Sequence, residues 1–259
     1  MYPIIIQYGD FVLASWHLFF VIGAFAAWFG INSLRSTILP ELKERELDRL
    51  FVLLYICGYF GARIFSILFE EKIYNPLAFI KALFSFGSMT LYGGIIAVTI
   101  ATLIFSYRKN LAIIRIASLF VGPGLIAIGI GRIGCFLNGD DFGKAIPDQL
   151  SPSWWTVQFP NLGDSIYRYP VQLWEAAFGI LSGLLLIILA RRFPTKTLWV
   201  ADAGVIAYTS ARFVLEYYRG DERGYFLGSV LSTSQGVSIL LLAIWITFRL
   251  RSSLKTKTL

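Results

Sequence analysis

Charged residues are scarce in this 259-residue sequence, and histidine and cysteine are scarcer still. Only 15% of the residues are Asp, Glu, Lys or Arg, whereas soluble domains carry about 25%. Hydrophobic residues make up 56% of the chain and need a surrounding other than water. The single histidine, His17, and two distant cysteines, Cys57 and Cys135, exclude a zinc-ligand spacing and a disulfide framework. With no nucleotide-binding loop either, we expect no metal and no cofactor.

Seven apolar runs predict transmembrane helices, since the hydrocarbon core of a bilayer takes roughly 20 apolar residues per helix. The runs lack the alternation of strands, although the third is short. We therefore expect one all-α integral membrane domain over residues 1–259, with about seven transmembrane helices. The predicted runs are Ser15–Leu34, Leu50–Phe69, Leu91–Ser106, Ile116–Leu137, Pro170–Ala190, Thr197–Tyr218 and Leu227–Leu250.

The basic residues between the runs predict the topology. One alternating set of connecting segments holds more than twice as many Lys and Arg residues as the other. The positive-inside rule assigns the richer set to the cytoplasm, with the N-terminus outside and the C-terminus cytoplasmic. This distribution accounts for the net charge of +7 without a nucleic-acid partner. The first 14 residues carry no Lys or Arg, which argues against a cleavable signal peptide. The longest outer loop is Asn138–Tyr169.

Ionisable residues inside apolar runs indicate a functional site, because each costs about 2.5–3.5 kcal/mol at the bilayer centre. In the sixth run, Tyr208, Arg212 and Glu216 recur every four residues and share one stripe of the helix. One interpretation is an Arg–Glu pair that only neutralises itself between helices. The other is a polar stripe on which Arg212 binds an anion and Tyr208 donates a hydrogen bond.

Gly129–Gly143, at the end of the fourth run, suggests a second part of the site. Arg132 is expected about two helical turns below the outer surface, with Asn138 and Asp140 at the mouth. A guanidinium suits a phosphate because its planar fork donates two hydrogen bonds together. The alternative is a snorkelling arginine beside a glycine-rich helix end.

Other polar residues are expected to converge with these in the outer half of the bilayer. Gly93 and Gly94 open the third run, where they either let a ligand approach the backbone or form a tight turn into the helix. Three arginines against two or three acids would leave room for an anionic lipid headgroup. The residues expected to converge are Arg63, Tyr92, Arg132, Asn138, Asp140, Gln172, Glu175, Arg212 and Glu216.

These segments resemble the bacterial prolipoprotein diacylglyceryl transferases from the second run to the seventh. Gly131–Gly143 is similar to the family signature G-R-x-G-N-F-x-N-x-E-x-x-G, with Cys135 for Asn and Asp140 for Glu. Tyr92-Gly93-Gly94 is similar to His-Gly-Gly, with Tyr for His. Further similar segments are Gly61-Ala62-Arg63 to Gly-Gly-Arg, Tyr169–Glu175 to His-Pro-x-Gln-Leu-Tyr-Glu, Tyr208…Arg212-Phe213…Glu216 to Tyr…Arg-Phe…Glu, and Ser232–Gln235 to Ser-x-x-Gln.

The resemblance implies transfer of the diacylglyceryl group from phosphatidylglycerol to the lipobox cysteine of a prolipoprotein, with release of glycerol phosphate. It implies membrane lipid and the signal peptide as partners, and a multi-pass protein of the bacterial inner membrane. Arg132 and Arg212 would hold the phosphate with help from Tyr208, and Asp140 or Glu216 would orient them or accept the thiol proton. Tyr92 stands where the family has a base or orienting histidine, and His17 is the one possible substitute. The residues expected to bind substrate are Arg63, Gly93, Gly94, Asn138, Gly143, Gln172 and Glu175.

Two other functions stay open at this point. The departures at Tyr92, Cys135 and Asp140 are compatible with a lipid-headgroup transferase that uses another acceptor. Buried arginines would also suit a transporter of phosphorylated solutes, although the order of the motifs argues against one.

Overall fold

The structure is a computed structural model that describes the backbone of the chain apart from residues 10, 70, 85–88, 151, 222–224, 227–230 and 258–259. Side chains are also left undescribed at residues 11, 91–92, 225–226 and 252–257. The described residues form mainly α-helices: α1 Ser15–Ile38, α2 Glu44–Phe69, α3 Pro76–Leu83, α4 Leu91–Lys109, α5 Ile113–Asn138, α6 Val171–Arg192, α7 Leu198–Leu215 and α8 Thr233–Lys257.

Three antiparallel hairpins are the only strand pairs among the described residues. They pair β1 (Ile4–Tyr8) with β2 (Phe11–Ala14), β3 (Val157–Gln158) with β4 (Tyr167–Arg168), and β5 (Tyr225–Phe226) with β6 (Leu231–Ser232). Short 3₁₀ turns lie at Pro160–Leu162, Pro194–Lys196 and Glu216–Tyr218. The prediction of an all-α membrane protein is therefore confirmed, with small hairpins added outside the long helices.

Six of the described helices are long and apolar enough to cross a membrane, so the protein is a multi-pass membrane protein. These helices are α1, α2, α5, α6, α8, and α7 together with the 3₁₀ turn that follows it. The third predicted run lies in α4, which is not one of the six. The count of seven spans and the orientation of the termini stay predictions.

Helix α3 is an element that the hydrophobic runs did not predict. Asn75 caps its first turn through its side chain, which accepts hydrogen bonds from the backbone N–H groups of Leu77 and Ala78, and Pro76 occupies the first helical position. An Asn-Pro pair of this kind is a local start signal for a helix. The helix is too short to register as a transmembrane run.

The chain forms two compact units, residues 1–34 with 118–259 and residues 35–117. In the first unit, α5 and α6 approach closely at glycines. A Cβ on Gly129 would lie 2.7 Å from the carbonyl oxygen of Ala176, and one on Gly179 would lie 2.7 Å from that of Leu125. Small residues permit such close contact between membrane helices. This approach brings the C-terminal end of α5, with Arg132, next to the start of α6, with Glu175. The expectation of one membrane domain stays a prediction.

In the first unit, α8 also contacts α7 near the N-terminal end of α7, away from Arg212. The Asp202 carboxylate accepts hydrogen bonds from Trp245 Nε1 at 2.9 Å and from Arg249 Nη2 at 3.0 Å. Asp202 therefore joins α7 to α8.

Gly129→Ala is expected to destabilise the protein by about 1–3 kcal/mol, because the backbone atoms that its Cβ would meet cannot move aside. Gly131→Ala is a matched control in the same helix, since no atom lies within 4 Å of the added Cβ. Alanine should be neutral there or stabilising by about 0.5–1 kcal/mol. Thermal unfolding of both purified variants measures the difference. Equal midpoints would contradict a close α5–α6 contact.

Candidate functional site

A carboxylate shared by two arginines lies at the centre of the site. Glu175, near the start of α6, is 8% exposed. Its Oε2 lies 2.7 Å from Arg132 Nε, and its Oε1 accepts a hydrogen bond from Arg212 Nη1. Arg132 comes from α5 and Arg212 from α7, so a single carboxylate joins three helices.

The segment that follows α5 adds a second carboxylate, Asp141, which bridges Arg132 and Arg219. Asp141 Oδ2 accepts from Arg132 Nη1, and Asp141 Oδ1 accepts from Arg219 Nη2. Its φ of 61° is left-handed, a conformation that Asp tolerates better than most residues. Strain of this kind persists only where the surroundings enforce it. Here the two arginines fix the position of the carboxylate.

Backbone pairing holds Asp141 and Arg219 together. Gly143 forms an antiparallel bridge with Arg219, Lys144 N donates to Tyr218 O at 2.7 Å, and Gly220 N donates to Phe142 O at 2.9 Å. A Cβ on Gly143 would collide with the carbonyl oxygen of Tyr169. Gly143, predicted to bind substrate, thus allows the close approach of three chain segments.

The start of α8 completes the ring around Arg212. Glu216 Oε2 lies 3.0 Å from Arg212 Nη2, and Glu216 Oε1 accepts from Ser232 Oγ at 2.8 Å. Ser234 Oγ accepts from Arg212 Nη2 at 3.1 Å. Ser232 and Gln235 form a reciprocal cap of the helix, in which Gln235 N donates to Ser232 Oγ and Ser232 N donates to Gln235 Oε1. This cap orients the serine hydroxyl toward Glu216.

We call these six side chains the arginine cluster. Within it, three guanidinium groups face three carboxylates. The expected set of three arginines included Arg63, which lies in the other unit, and its part in the site stays a prediction. Because every guanidinium of the cluster already contacts a carboxylate, a phosphate that binds here must replace one of those contacts. The members are Arg132, Asp141, Glu175, Arg212, Glu216 and Arg219.

A cleft between α5, α6 and α7 opens beside the cluster. Its polar lining residues are Arg132, Glu175, Tyr208 and Arg212. The other lining residues are apolar or small: Leu125, Ile128, Phe178, Gly179, Ala211 and Leu215. A cleft that presents both arginines and apolar side chains suits a molecule with an anionic head and a hydrocarbon body. It brings Tyr208 beside the two arginines, as the four-residue spacing predicted.

Asn138, Asp140 and Gln172 lie next to the cluster. Asn138 Nδ2 donates to the Asp140 carboxylate, and Gln172 Nε2 donates to the Asp140 carbonyl oxygen at 2.7 Å. Asp140 is exposed, whereas Gln172 is fully buried. The carboxylate that reaches the arginines is that of the next residue, Asp141. Asn138 and Gln172 therefore shape the chain around Asp140.

The predicted outer loop is ordered by its own contacts. The hairpin of β3 and β4 lies within it, and Trp155 packs on Tyr169 and Trp174 with ring centroids 5.9 Å apart in both pairs. Hydrogen bonds from Arg168 lower the pKa of the Asp164 carboxyl from its usual value. The Asp164–Arg168 pair therefore stays ionised well below neutral pH.

Four predicted site residues lie in the second unit. Arg63 is 1% exposed; its Nε and Nη2 donate to the Ala82 carbonyl oxygen at 3.0 and 2.9 Å, and its Nη1 donates to Glu71. Arg63 thus ties α2 to the end of α3. Gly93 and Gly94 pack α4 against α2, where a Cβ on Gly93 would collide with the Gly61 carbonyl oxygen. The side chain of Tyr92 lies outside the described residues.

Sequence reasoning missed Arg219 and Asp141. Arg219 lies in the connecting segment after the sixth predicted run, and Asp141 stands at an x position of the family signature. A partial signal existed, because Arg219 follows Arg212 by seven residues and Glu216 by three, a spacing that keeps residues on one side of a continuing helix. Within the described part of the chain, no three His, Cys, Asp or Glu side chains are placed to hold a metal ion.

Comparison with known proteins identifies one family. The family model of prolipoprotein diacylglyceryl transferase matches residues 3–251. Among the similar proteins are phosphatidylglycerol–prolipoprotein diacylglyceryl transferases of Brucella ovis, Brucella canis and Brucella abortus. Each is 30% identical over 266 residues, which cover 95% of this chain and 91% of the relative.

Arg63→Ala is expected to destabilise the protein by about 1–3 kcal/mol, because it removes a buried guanidinium that donates hydrogen bonds to the Ala82 carbonyl oxygen and to Glu71. The double variant Arg63→Ala with Glu71→Ala should be more stable than Arg63→Ala alone. Lys109→Ala is the control, since it breaks an ion pair with Glu46 that is partly exposed on both sides, worth about 0–1 kcal/mol. Thermal unfolding compares the variants. A loss for Arg63→Ala no larger than the control's would contradict a structural role.

Proposed function

The chain belongs to the prolipoprotein diacylglyceryl transferase family, and we propose that the arginine cluster is the site of its reaction. The enzyme transfers the diacylglyceryl group of phosphatidylglycerol to the cysteine thiol of a prolipoprotein. The observation that supports this site is that Arg132 and Arg212 line one cleft together with apolar side chains. A phosphatidylglycerol molecule has the same division into an anionic headgroup and a hydrocarbon body.

The transfer exchanges one carbon–oxygen bond for one carbon–sulfur bond. The cysteine sulfur attacks the diacylglyceryl carbon that carries the phosphate. The bond from that carbon to the phosphate oxygen breaks, and its electron pair leaves with glycerol phosphate. The thiol proton passes to a base and then to water. Because the substrate supplies the nucleophile, the enzyme needs no cysteine of its own, and Cys135 has no such role.

Arg132 and Arg212 stabilise the phosphate as negative charge builds on the leaving oxygen. Their positions are fixed before the reaction, since Glu175 binds both and Asp141 and Glu216 each bind one. Fixed donors in a site with little water stabilise developing charge effectively, and one such donor contributes about 2.7–4 kcal/mol in a model oxyanion site. The headgroup takes over contacts that Glu175 makes in the free enzyme, and Tyr208 donates a further hydrogen bond.

The two substrates approach the cluster from different sides. The apolar wall of Leu125, Ile128 and Phe178 receives the glycerol carbons and the start of the acyl chains. The signal peptide of the prolipoprotein reaches the cluster past the loop Asn138–Tyr169, which lies outside the bilayer in the predicted topology. The site then lies in the outer half of a bacterial inner membrane, where a cysteine at the outer end of the signal peptide would arrive.

Asp140 is the proton acceptor in this proposal, and Glu216 orients Arg212. Asp140 is exposed, whereas Glu216 is buried and bound to both Arg212 and Ser232. An exposed carboxylate passes a proton to water more readily than one held in an ion pair. Tyr92 stays a predicted orienting group in place of the family histidine.

Arg132→Ala and Arg212→Ala are each expected to lower turnover by about 100-fold or more, because each removes a donor to the leaving phosphate. The assay follows label from phosphatidylglycerol to a synthetic lipobox peptide with purified protein. Arg168→Ala is the control, since Arg168 pairs with Asp164 in the outer loop. Near-normal turnover of either cluster variant, in folded and monodisperse protein, would overturn the assignment.

The acceptor is tested in the same assay with small thiols and alcohols beside the peptide. The departures at Cys135 and Asp140 are the observations that favour a different acceptor. Transfer to the peptide thiol alone supports the prolipoprotein reaction. Transfer to small acceptors without any transfer to the peptide would replace it with a lipid-headgroup transferase of another specificity.

Asp140→Asn should be slow at neutral pH and should recover as the pH approaches the thiol pKa of about 8.5, since more of the peptide cysteine is then ionised without help. The ratio of its rate to the wild-type rate is measured between pH 6 and 9. Asp164→Asn serves as the control, since it neutralises a carboxylate of the outer loop that pairs with Arg168 outside the cluster. A ratio that stays constant across this range would show that Asp140 does not accept the proton.

A further inference from the structure

We propose that Arg219 is a positioning residue that sets the charge balance of the phosphate site, an inference that rests on the proposed function. Arg219 is not among the residues that line the cleft, whereas Arg132 and Arg212 are. Its side chain is 2% exposed. It therefore acts through the carboxylates that hold the other two arginines.

The contacts of Arg219 define that action. Its Nη2 donates to Asp141 Oδ1, and the other oxygen of Asp141 binds Arg132. Its Nη1 lies 3.8 Å from Glu175 Oε2 and has no hydrogen-bond partner among the described residues. Its Nε and Nη2 also bind Asp221 at 2.8 and 2.9 Å. Arg219 thus faces both carboxylates that hold Arg132.

The number of charges around the site shows why the positive charge of Arg219 matters for an anionic substrate. Asp221 pairs with Arg219 through both of its oxygens, so that four carboxylates surround the three guanidinium groups. Without Arg219, Arg132 and Arg212 alone face these four carboxylates, and the site becomes more negative by one unit charge before any lipid arrives. Arg219 thus lets Arg132 exchange a carboxylate contact for a phosphate contact.

The backbone around Arg219 suits a fixed role. The bridge between Gly143 and Arg219 and the two flanking hydrogen bonds hold its main chain against the loop that carries Asp141. The guanidinium therefore keeps its place while substrates enter and leave.

Two substitutions at this position separate charge from shape. Arg219→Lys keeps the charge and loses the fork, whereas Arg219→Gln keeps polar character and loses the charge. Removing a unit charge several Å from an anion in a partly buried site should weaken its binding by roughly tenfold to a hundredfold. Arg219→Gln should therefore raise the KM for phosphatidylglycerol by about that factor, and Arg219→Lys should stay within about threefold of wild type. Arg168→Gln, in the outer loop, is the control for losing a paired arginine.

Competition by two inhibitors distinguishes lost charge from general damage. Glycerol phosphate carries the anionic group, and diacylglycerol carries the neutral part of the donor. In Arg219→Gln, inhibition by glycerol phosphate should weaken by at least tenfold while inhibition by diacylglycerol stays unchanged. Equal weakening of both inhibitors, or an Arg219→Lys variant as impaired as Arg219→Gln, would overturn the charge-balance role.

A compensating variant gives an independent readout. Asp141→Asn added to Arg219→Gln restores the balance of charges, so inhibition by glycerol phosphate should recover at least in part. Failure to recover, in a double variant that unfolds at the wild-type temperature, would contradict the inference. Arg132→Ala and Arg212→Ala are assayed alongside. Full activity of those two would overturn the proposed site itself, whereas their loss beside a normal Arg219→Gln would overturn only the role of Arg219.

Discussion

The first unit depends on one buried carboxylate that is shared between arginines of different helices. Glu175 binds Arg132 of α5 and Arg212 of α7, and further carboxylates continue the network to Arg219 and α8. Removing one partner of a buried ion pair costs about 3–5 kcal/mol because the other charge is left unpaired. The network can form only because glycines let α5 and α6 approach closely. The geometry of the site therefore depends on how these two helices pack.

In the proposed function, the same network explains how a site whose arginines are all paired with carboxylates still binds an anion. A surplus of bare arginines inside a membrane would be costly without substrate. Carboxylates that hold the guanidinium groups lower that cost and fix their geometry, and a phosphate then replaces one of these contacts. The apolar residues that line the cleft strengthen charge–charge interactions there, because such interactions are stronger where little water enters.

The sequence predicted the features that depend on local periodicity. The helical runs followed from hydropathy, and the spacing of Tyr208, Arg212 and Glu216 placed all three on one face of α7. The Arg212–Glu216 pair of the first interpretation is present, and anion binding by Arg212, which also lines the cleft, stays a proposal. Arg132 was likewise expected at the outer end of its helix, where it meets Glu175.

The sequence did not predict the contacts that the segments between the helices make. Asp141 enters the cluster through a left-handed backbone, and Arg219 through a bridge to Gly143, and neither leaves a periodic signal. Arg63 was expected at the site from its charge and from the resemblance of Gly61-Ala62-Arg63 to Gly-Gly-Arg, and that role stays a prediction. Its partners are the end of α3 and Glu71, and α3 is itself too short for a hydropathy pattern.

The most direct test of the account is an experimental structure of the protein with phosphatidylglycerol and no acceptor peptide, so that the donor lipid stays intact. The account predicts density for the phosphate within about 3 Å of guanidinium nitrogens of both Arg132 and Arg212, with Glu175 withdrawn from at least one of them and the acyl chains along the Leu125–Ile128 wall. A headgroup bound elsewhere, with both arginines still held by Glu175, would contradict the central claim.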